Sequence, residues 1–164
     1  MSKILWVEDE ADGGLVRLRG PVEGLAVYDL RIARNATEAV QELLQDKYDA
    51  VVVDIRIPPG DDTRWISQYE KYGANPRAAR LGIALLHSLL RPDKAEVTLH
   101  ESIPDWIRAN PARFGVLTDE GVKEVEDDKV ALGILVCIHK PPRPPRTLLL
   151  DAIQEILAKA SHSK

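Results

Sequence analysis

Apolar runs of strand length alternate with amphipathic segments of helix length along almost the whole chain. Lys3 to Val7 reads as a first strand. Glu10 to Gly20 is expected as a helix, weakened by Gly13, Gly14 and Gly20 and closed by Pro21. Leu25 to Ala33 reads as a second strand, with Ala26, Tyr28, Leu30 and Ile32 alternating onto one face. Asn35 opens the next helix: its side chain caps the first turn, and Glu38 stands at the capping-box spacing. Ala39, Val40, Leu43 and Leu44 supply that helix's apolar stripe. Ala50 to Ile55 is apolar except at Asp54, the pattern of a central parallel strand covered on both faces.

Pro58-Pro59-Gly60-Asp61-Asp62 breaks the chain. A short helix carrying Trp65, Ile66, Tyr69 and Tyr72 is expected next. Asn75-Pro76 then starts another, with proline at a favoured first position and Ala79, Ile83, Leu86 and Leu90 facing inward. Glu96 to His100 reads as a strand or an extended loop, and Ser102 to Ala109 as a short helix. Phe114 to Thr118 reads as the fourth strand, Glu120 to Lys129 as an exposed helix, and Ala131 to Ile138 as the fifth strand. The prolines from Pro141 to Pro145 forbid regular pairing and mark a rigid loop. Thr147 to Ala160 is expected as the last helix, with Leu149, Ala152, Ile153, Ile156 and Leu157 inward. This alternation argues for an α/β domain, a doubly wound five-stranded parallel sheet with helices on both faces. The expected organisation is a single domain over residues 1–164, with an extra helical segment at about residues 60–111.

Composition narrows the field. A net charge of -4 with scattered Lys and Arg gives no nucleic-acid surface, and no apolar run has the length of a membrane span. The N-terminus runs straight into a strand pattern without a signal peptide, and the lone Cys137 rules out an internal disulfide framework. A cytoplasmic location is expected. Cys137 reads as a small mid-strand hydrophobe rather than a reactive thiol. His87, His100, His139 and His162 lack metal-ligand spacing.

Three strand ends carry the candidate chemistry. Ile4 to Val7 leads into Glu8, Asp9 and Glu10; Val51 to Val53 leads into Asp54; and Ile134 to Ile138 leads to His139, Lys140 and Pro141. In an open parallel sheet these ends share the rim where ligands bind. Asp54 interrupts an apolar run, and a lone carboxylate there needs compensation. Glu8 and Asp9 would crowd it, and a divalent cation is the natural neutraliser. Mg²⁺ suits an all-oxygen donor set. Lys140 brings a positive charge able to pair with Asp54 or hold a phosphoryl oxygen, and Thr118 offers a hydroxyl at the fourth strand's end.

Together these residues resemble the receiver domains of response regulators in two-component signalling. The match runs through Lys3 to Asp9, Asp54 with Pro58, Thr118, and Lys140-Pro141. It implies a flavodoxin-like fold with strand order 2-1-3-4-5. It also implies Asp54 as phosphoacceptor, Asp9 as a direct Mg²⁺ ligand, Glu8 acting through water, and the Arg56 backbone carbonyl completing the protein's share. Lys140 would contact the phosphoryl group, with Lys140-Pro141 as a cis peptide. The implied partners are a sensor histidine kinase or a phosphotransfer protein, with output through a further protein contact and a homodimer as one arrangement. No enzymatic activity of its own, nucleic acid or membrane is expected. Since the chain ends just after its last helix, a stand-alone receiver is expected.

The middle departs from the family. Asp54 to Thr118 is longer by roughly thirty residues, enough for two short helices at about 1.5 Å per residue. Asp119 follows Thr118 where the family carries a small residue, Cys137 stands where an aromatic is usual, and Arg56 is long and cationic. These departures favour an alternative, a receiver-like interaction module no longer controlled by phosphorylation. Thr98 competes with Thr118 if Val97 to Leu99 forms the fourth strand. A hydrolase or transferase on the same fold lacks a nucleophile–base pair or cofactor motif.

Overall fold

Residues 1–163 are described by a computed structural model. Strands β1 (Ser2–Val7), β2 (Tyr28–Ala33), β3 (Ala50–Val53), β4 (Phe114–Thr118) and β5 (Val136–His139) form one sheet in the order β2-β1-β3-β4-β5. Every pairing is parallel, with Val7 beside both Ala33 and Val53, Val53 beside Val116, and Thr118 beside His139. The doubly wound order expected from the sequence is therefore present.

Strand alternation divides the core into two layers. Leu5, Val7, Val51, Val53, Phe114 and Val116 face one cluster. Ile4, Trp6, Ala50, Val52, Leu117 and Val136 face the other. The first is covered by α2 (Ala36–Gln45), α3 (Thr63–Lys71), α5 (Leu81–Leu90), α6 (Asp105–Ala109) and α7 (Val122–Leu132). The second is covered by α1 (Gly20–Glu23) and α8 (Leu148–His162). Both sheet faces are dry, which explains why β3 is an unbroken apolar run.

The segment between β3 and β4, expected from the sequence to be extra, is part of this core. Trp65 of α3 is fully buried, as are Leu81, Leu85, Leu86 and Leu89 of α5. Burying each such leucine contributes about 1.5–3 kcal/mol before ordering costs. Between these two helices lies α4 (Pro76–Ala79). The expected continuous helix from Asn75 to Leu90 is broken at Arg80, whose φ of 46° is left-handed. A non-glycine residue adopts that conformation when surrounding contacts impose it. Here Arg80 Nε lies 3.2 Å from Glu120 and its terminal nitrogen 3.0 Å from Asp128.

Other expectations shift. Glu10 to Gly20 is not a helix; turns lead to a 3₁₀ turn at Val16–Leu18 and the single turn of α1. Gly13 and Gly14 add backbone entropy there, and Glu10 spends its carboxylate on the Gly14 N–H instead. β2 begins at Tyr28, leaving Ala26 exposed outside it. Glu96 to His100 is loop, so Thr98 lies away from the sheet. β5 starts at Val136 because α7 runs to Leu132 and Gly133 closes it in the left-handed region, φ 72°. Lys140-Pro141 is trans, as is every described peptide bond. The Asn35 cap is as expected: its side chain accepts the Glu38 N–H at 2.8 Å and donates to the Glu38 carboxylate at 2.6 Å.

Candidate functional site at the sheet's carboxyl rim

Ladder hydrogen bonds continue one residue past the strands and set the acidic side chains in place. The Glu8 N–H donates to the Ala33 carbonyl at 2.9 Å, and the Asp54 N–H to the Val7 carbonyl at 3.0 Å. At the other side, the Lys140 N–H donates to the Thr118 carbonyl at 2.7 Å. Three non-adjacent chain segments thus deliver Glu8, Asp54 and Lys140 to one rim. A fourth, α5, holds that rim from above. The Gly82 N–H donates to the Ile55 carbonyl at 2.9 Å, and a Cβ on Gly82 would lie 2.0 Å from the Asp54 carbonyl oxygen. Only glycine permits so close a backbone approach.

Oxygen atoms of Glu8, Asp9 and Asp54 lie within 4.8 Å of one another. Glu8 and Asp54 are buried while Asp9 is exposed. A cluster of hard carboxylate oxygens, crowded and partly solvent-facing, fits Mg²⁺, which keeps several of its waters. Arg56 follows in the same loop, where its N–H supports the Asp54 carboxylate.

Lys140 compensates the cluster in a different order from the one expected. Its Nζ lies 2.6 Å from Glu8 Oε1, 3.5 Å from Asp119 Oδ1 and 3.6 Å from Asp54 Oδ2. Glu8, 1% exposed, takes the shortest contact; the carboxylate with the least water has the greatest need of a counter-charge. Burial, reinforced by the charge of Asp54 and opposed by Lys140, pushes the Glu8 carboxyl up to about 8. Burial likewise raises Asp54, with Lys140 opposing it. Burial alone would lower the Lys140 ammonium, but Asp54 and Glu8 outweigh it and hold it above its ordinary value.

Thr118 is fully buried at the end of β4, and its hydroxyl accepts the Glu120 N–H at 3.3 Å. That bond leaves the hydroxyl proton free to donate. The structure therefore brings together all of Glu8, Asp9, Asp54, Arg56, Thr118 and Lys140, and leaves Thr98 out. Cys137 is half-buried in β5, and burial pushes its thiol up, as for an unreactive thiol.

Sequence reasoning singled out Asp119 and Arg56 but missed the ring of charge that they belong to. Asp119, 56% exposed, lies 3.9 Å from the Arg56 guanidinium. Glu120 is buried, 3.6 Å from Arg56 and 3.2 Å from Arg80. Arg80 reaches on to Asp128, which lies 4.0 Å from His87. Alternating charges thus run from Asp54 through Lys140, Asp119, Arg56, Glu120 and Arg80 to Asp128. Arg80 and Arg77 come from the extra segment, and no spacing in the sequence announces them.

No family model matches the chain, and no curated protein matches it. Solved structures do. A response regulator receiver domain protein (CheY-like) from Methanospirillum hungatei JF-1 is 18% identical with a TM-score of 0.62, covering 100% of this chain and 99% of its own. The non-phosphorylated HemR receiver domain from Leptospira biflexa is 22% identical with a TM-score of 0.59, over 96% and 95%. The receiver domain of the Francisella response regulator 1452 is 17% identical with a TM-score of 0.60, over 100% of both chains. Identities this low speak to the backbone and not to the chemistry, and on that backbone the chain has the fold of response-regulator receiver domains.

Proposed function

We propose that this chain is a phospho-accepting signalling domain whose phosphoacceptor is Asp54. The observation that carries this is the convergence of Asp54, Glu8, Asp9 and Lys140 on one rim of a receiver fold. An Asp54 carboxylate oxygen would attack the phosphorus of a phosphohistidine on a sensor kinase or phosphotransfer protein. A P–O bond forms to Asp54 as the P–N bond breaks, and the imidazole leaves with the electron pair and takes up a proton. Mg²⁺, held by Asp9, Asp54, the Arg56 carbonyl and Glu8 through water, would neutralise charge on the transferring oxygens. Lys140 would move from Glu8 toward the new phosphoryl group, and the Thr118 hydroxyl would donate to another of its oxygens. The added charge then biases the surface around β4 and β5.

The domain would act in the cytoplasm as a regulated contact rather than as an enzyme in its own right. Val122 and Val130 of α7 and Leu135 before β5 are exposed and offer apolar contacts to an output protein or a second copy. Among the described residues no helix is long and apolar enough to cross a membrane.

A second function has one observation in its favour. Asp119 already places a carboxylate 3.5 Å from Lys140, a built-in anion where a phosphoryl oxygen would be held. A receiver-like interaction module, free of phosphorylation control, would result if it never left.

Calorimetric titration with beryllofluoride in Mg²⁺ separates the two, with Asp54→Ala beside the parent. Saturable binding that needs Mg²⁺ and disappears in the variant supports the phosphoacceptor. Mg²⁺ binding without beryllofluoride binding favours the interaction module, and binding of neither removes the phosphorylation function.

A further inference from the structure

A cavity of about 590 Å³ opens beside Lys140, lined by Glu10, Arg56, Arg77, Asp119 and His139 together with Pro141 and Pro142. A second, of about 390 Å³, shares Arg56, Arg77 and Asp119 with the first and is also lined by Glu120 and Glu124. Arg77 is therefore the element of the extra segment that borders both. Its backbone is anchored: the Asn75 side chain accepts the N–H groups of Arg77 and Ala78 at 2.9 and 3.3 Å. Its side chain is exposed and forms no ion pair with any described carboxylate, in a protein where Arg19, Arg34, Arg64 and Arg80 each hold at least one.

Arg56 is also unspent. Its nearest carboxylate oxygens, on Glu120 and Asp119, lie at 3.6 and 3.9 Å, too far for hydrogen bonds. Its Nε is buried without a hydrogen-bond partner. A guanidinium carries five donors in a planar fork, and an unused one in a buried place is costly. Lys140, by contrast, is committed to Glu8 and Asp54. Two guanidinium groups with free donors therefore line one cavity, together with Lys140 and the carboxylates of Glu10 and Asp119. Planar bidentate donors suit a phosphate oxyanion better than a lone ammonium does.

We propose that Arg56 and Arg77 form an anion subsite beside Asp54, on the side closed by the extra segment, that takes a phosphate oxyanion. Asp119 occupies the edge of that subsite and is its competitor. The purpose of the subsite rests on the phosphoacceptor function, since it would seat the phosphoryl end of a donor before transfer. Its existence does not. Arg77, supplied from outside the strand ends, would be a positioning residue that sets the affinity for the donor.

The test is a titration with inorganic phosphate at fixed ionic strength, followed by amide chemical shifts of the full chain. Parent, Arg77→Ala, Arg77→Lys, Asp119→Asn and Asp54→Ala are compared. Saturable shifts are expected at Arg56, Arg77 and Asp119. Loss of one charge-assisted contact should raise the half-saturating concentration about tenfold in Arg77→Ala, with partial recovery in Arg77→Lys. Removing the competing charge in Asp119→Asn should lower it, and Asp54→Ala should retain binding. Phosphate binding that survives in Asp54→Ala while beryllofluoride fails to bind the parent would sink the phosphoacceptor and leave the subsite standing. Arg77→Ala is an exposed change, and its amide spectrum reports directly that it is folded. Equal half-saturation in parent and Arg77→Ala, or no saturable shift at all, overturns the proposal.

Discussion

Replacing Lys140 with methionine removes a charge and keeps most of the volume. Three carboxylates lose their shared cation, two of them buried. Breaking a buried ion pair from one side costs about 3–5 kcal/mol, whereas a volume-conserving swap costs less than about 1.5 kcal/mol. Which figure applies depends on pH. Glu8 already holds its proton up to about pH 8, and a neutral carboxyl needs no counter-charge. At pH 6 without metal, the variant should therefore lose less than at higher pH, because Glu8 is already neutral there. At pH 9 Glu8 must either ionise without compensation or keep its proton at about 1.4 kcal/mol per pH unit. The loss should then approach about 3–5 kcal/mol. Guanidinium unfolding of both proteins at the two pH values, with a chelator present, measures this. With Mg²⁺ the order inverts: one positive charge fewer beside the cluster should tighten Mg²⁺ binding about tenfold or more. Equal destabilisation at pH 6 and pH 9, or weaker Mg²⁺ binding in the variant, would refute the reasoning.

Gly82→Ala should destabilise by about 3 kcal/mol or more, at or beyond the top of the usual overpacking range, because the new Cβ meets backbone that cannot rotate away. A melting temperature like the parent's would contradict it. Metal-free parent protein should lose stability as pH rises from about 4.5 to about 8. In that window the folded chain keeps a proton on Glu8 that the unfolded chain has released. Asp62 and Glu96, held low by Arg64 and by Gln68 respectively, have already made their full contribution above about pH 5. Saturating Mg²⁺ should flatten or reverse the slope, and a flat profile from pH 5 to 8 in chelator would count against the assignment. Asn35→Ala should cost about 1 kcal/mol in urea unfolding through loss of the α2 cap, and Asn35→Gly only a few tenths.

The site was legible because strand ends are short, local signals. An apolar run that stops at a carboxylate or lysine states both the strand and the rim, as at Val7-Glu8-Asp9, Val53-Asp54 and His139-Lys140. What stayed hidden depends on tertiary contacts. The break at Arg80 exists because Glu120 and Asp128, far along the chain, hold its guanidinium. Sequence periodicity from Asn75 to Leu90 is helical throughout and carries no sign of it. The apolar run from Ala131 does not show where β5 starts, because Ala131 and Leu132 are apolar in either setting, and Gly133 is the available signal for a helix end. The Glu10 to Gly20 helix failed where its own glycines opposed it. Gly82 lies in a helical pattern that carries no sign of how closely α5 approaches the Asp54 carbonyl.

The long connection between β3 and β4 also favours an order of assembly. Short connections join β1, β2 and β3, whereas pairing Val53 with Val116 must first close a loop of about sixty residues. Each doubling of loop length costs only about 0.6 kcal/mol at equilibrium, but non-local closure governs the rate. The N-terminal three strands can thus associate before β4 and β5 dock. Glu8 and Asp54 ride on the early strands, and Lys140 follows the last one. If β4 and β5 dock last, the carboxylates meet before their cation arrives, and the last barrier is one of electrostatic closure. Stopped-flow refolding should show a late phase that Mg²⁺ accelerates, and a rate indifferent to Mg²⁺ would place the docking of β5 earlier. The ion pair that quiets the mature site is thereby also the latch that finishes the fold.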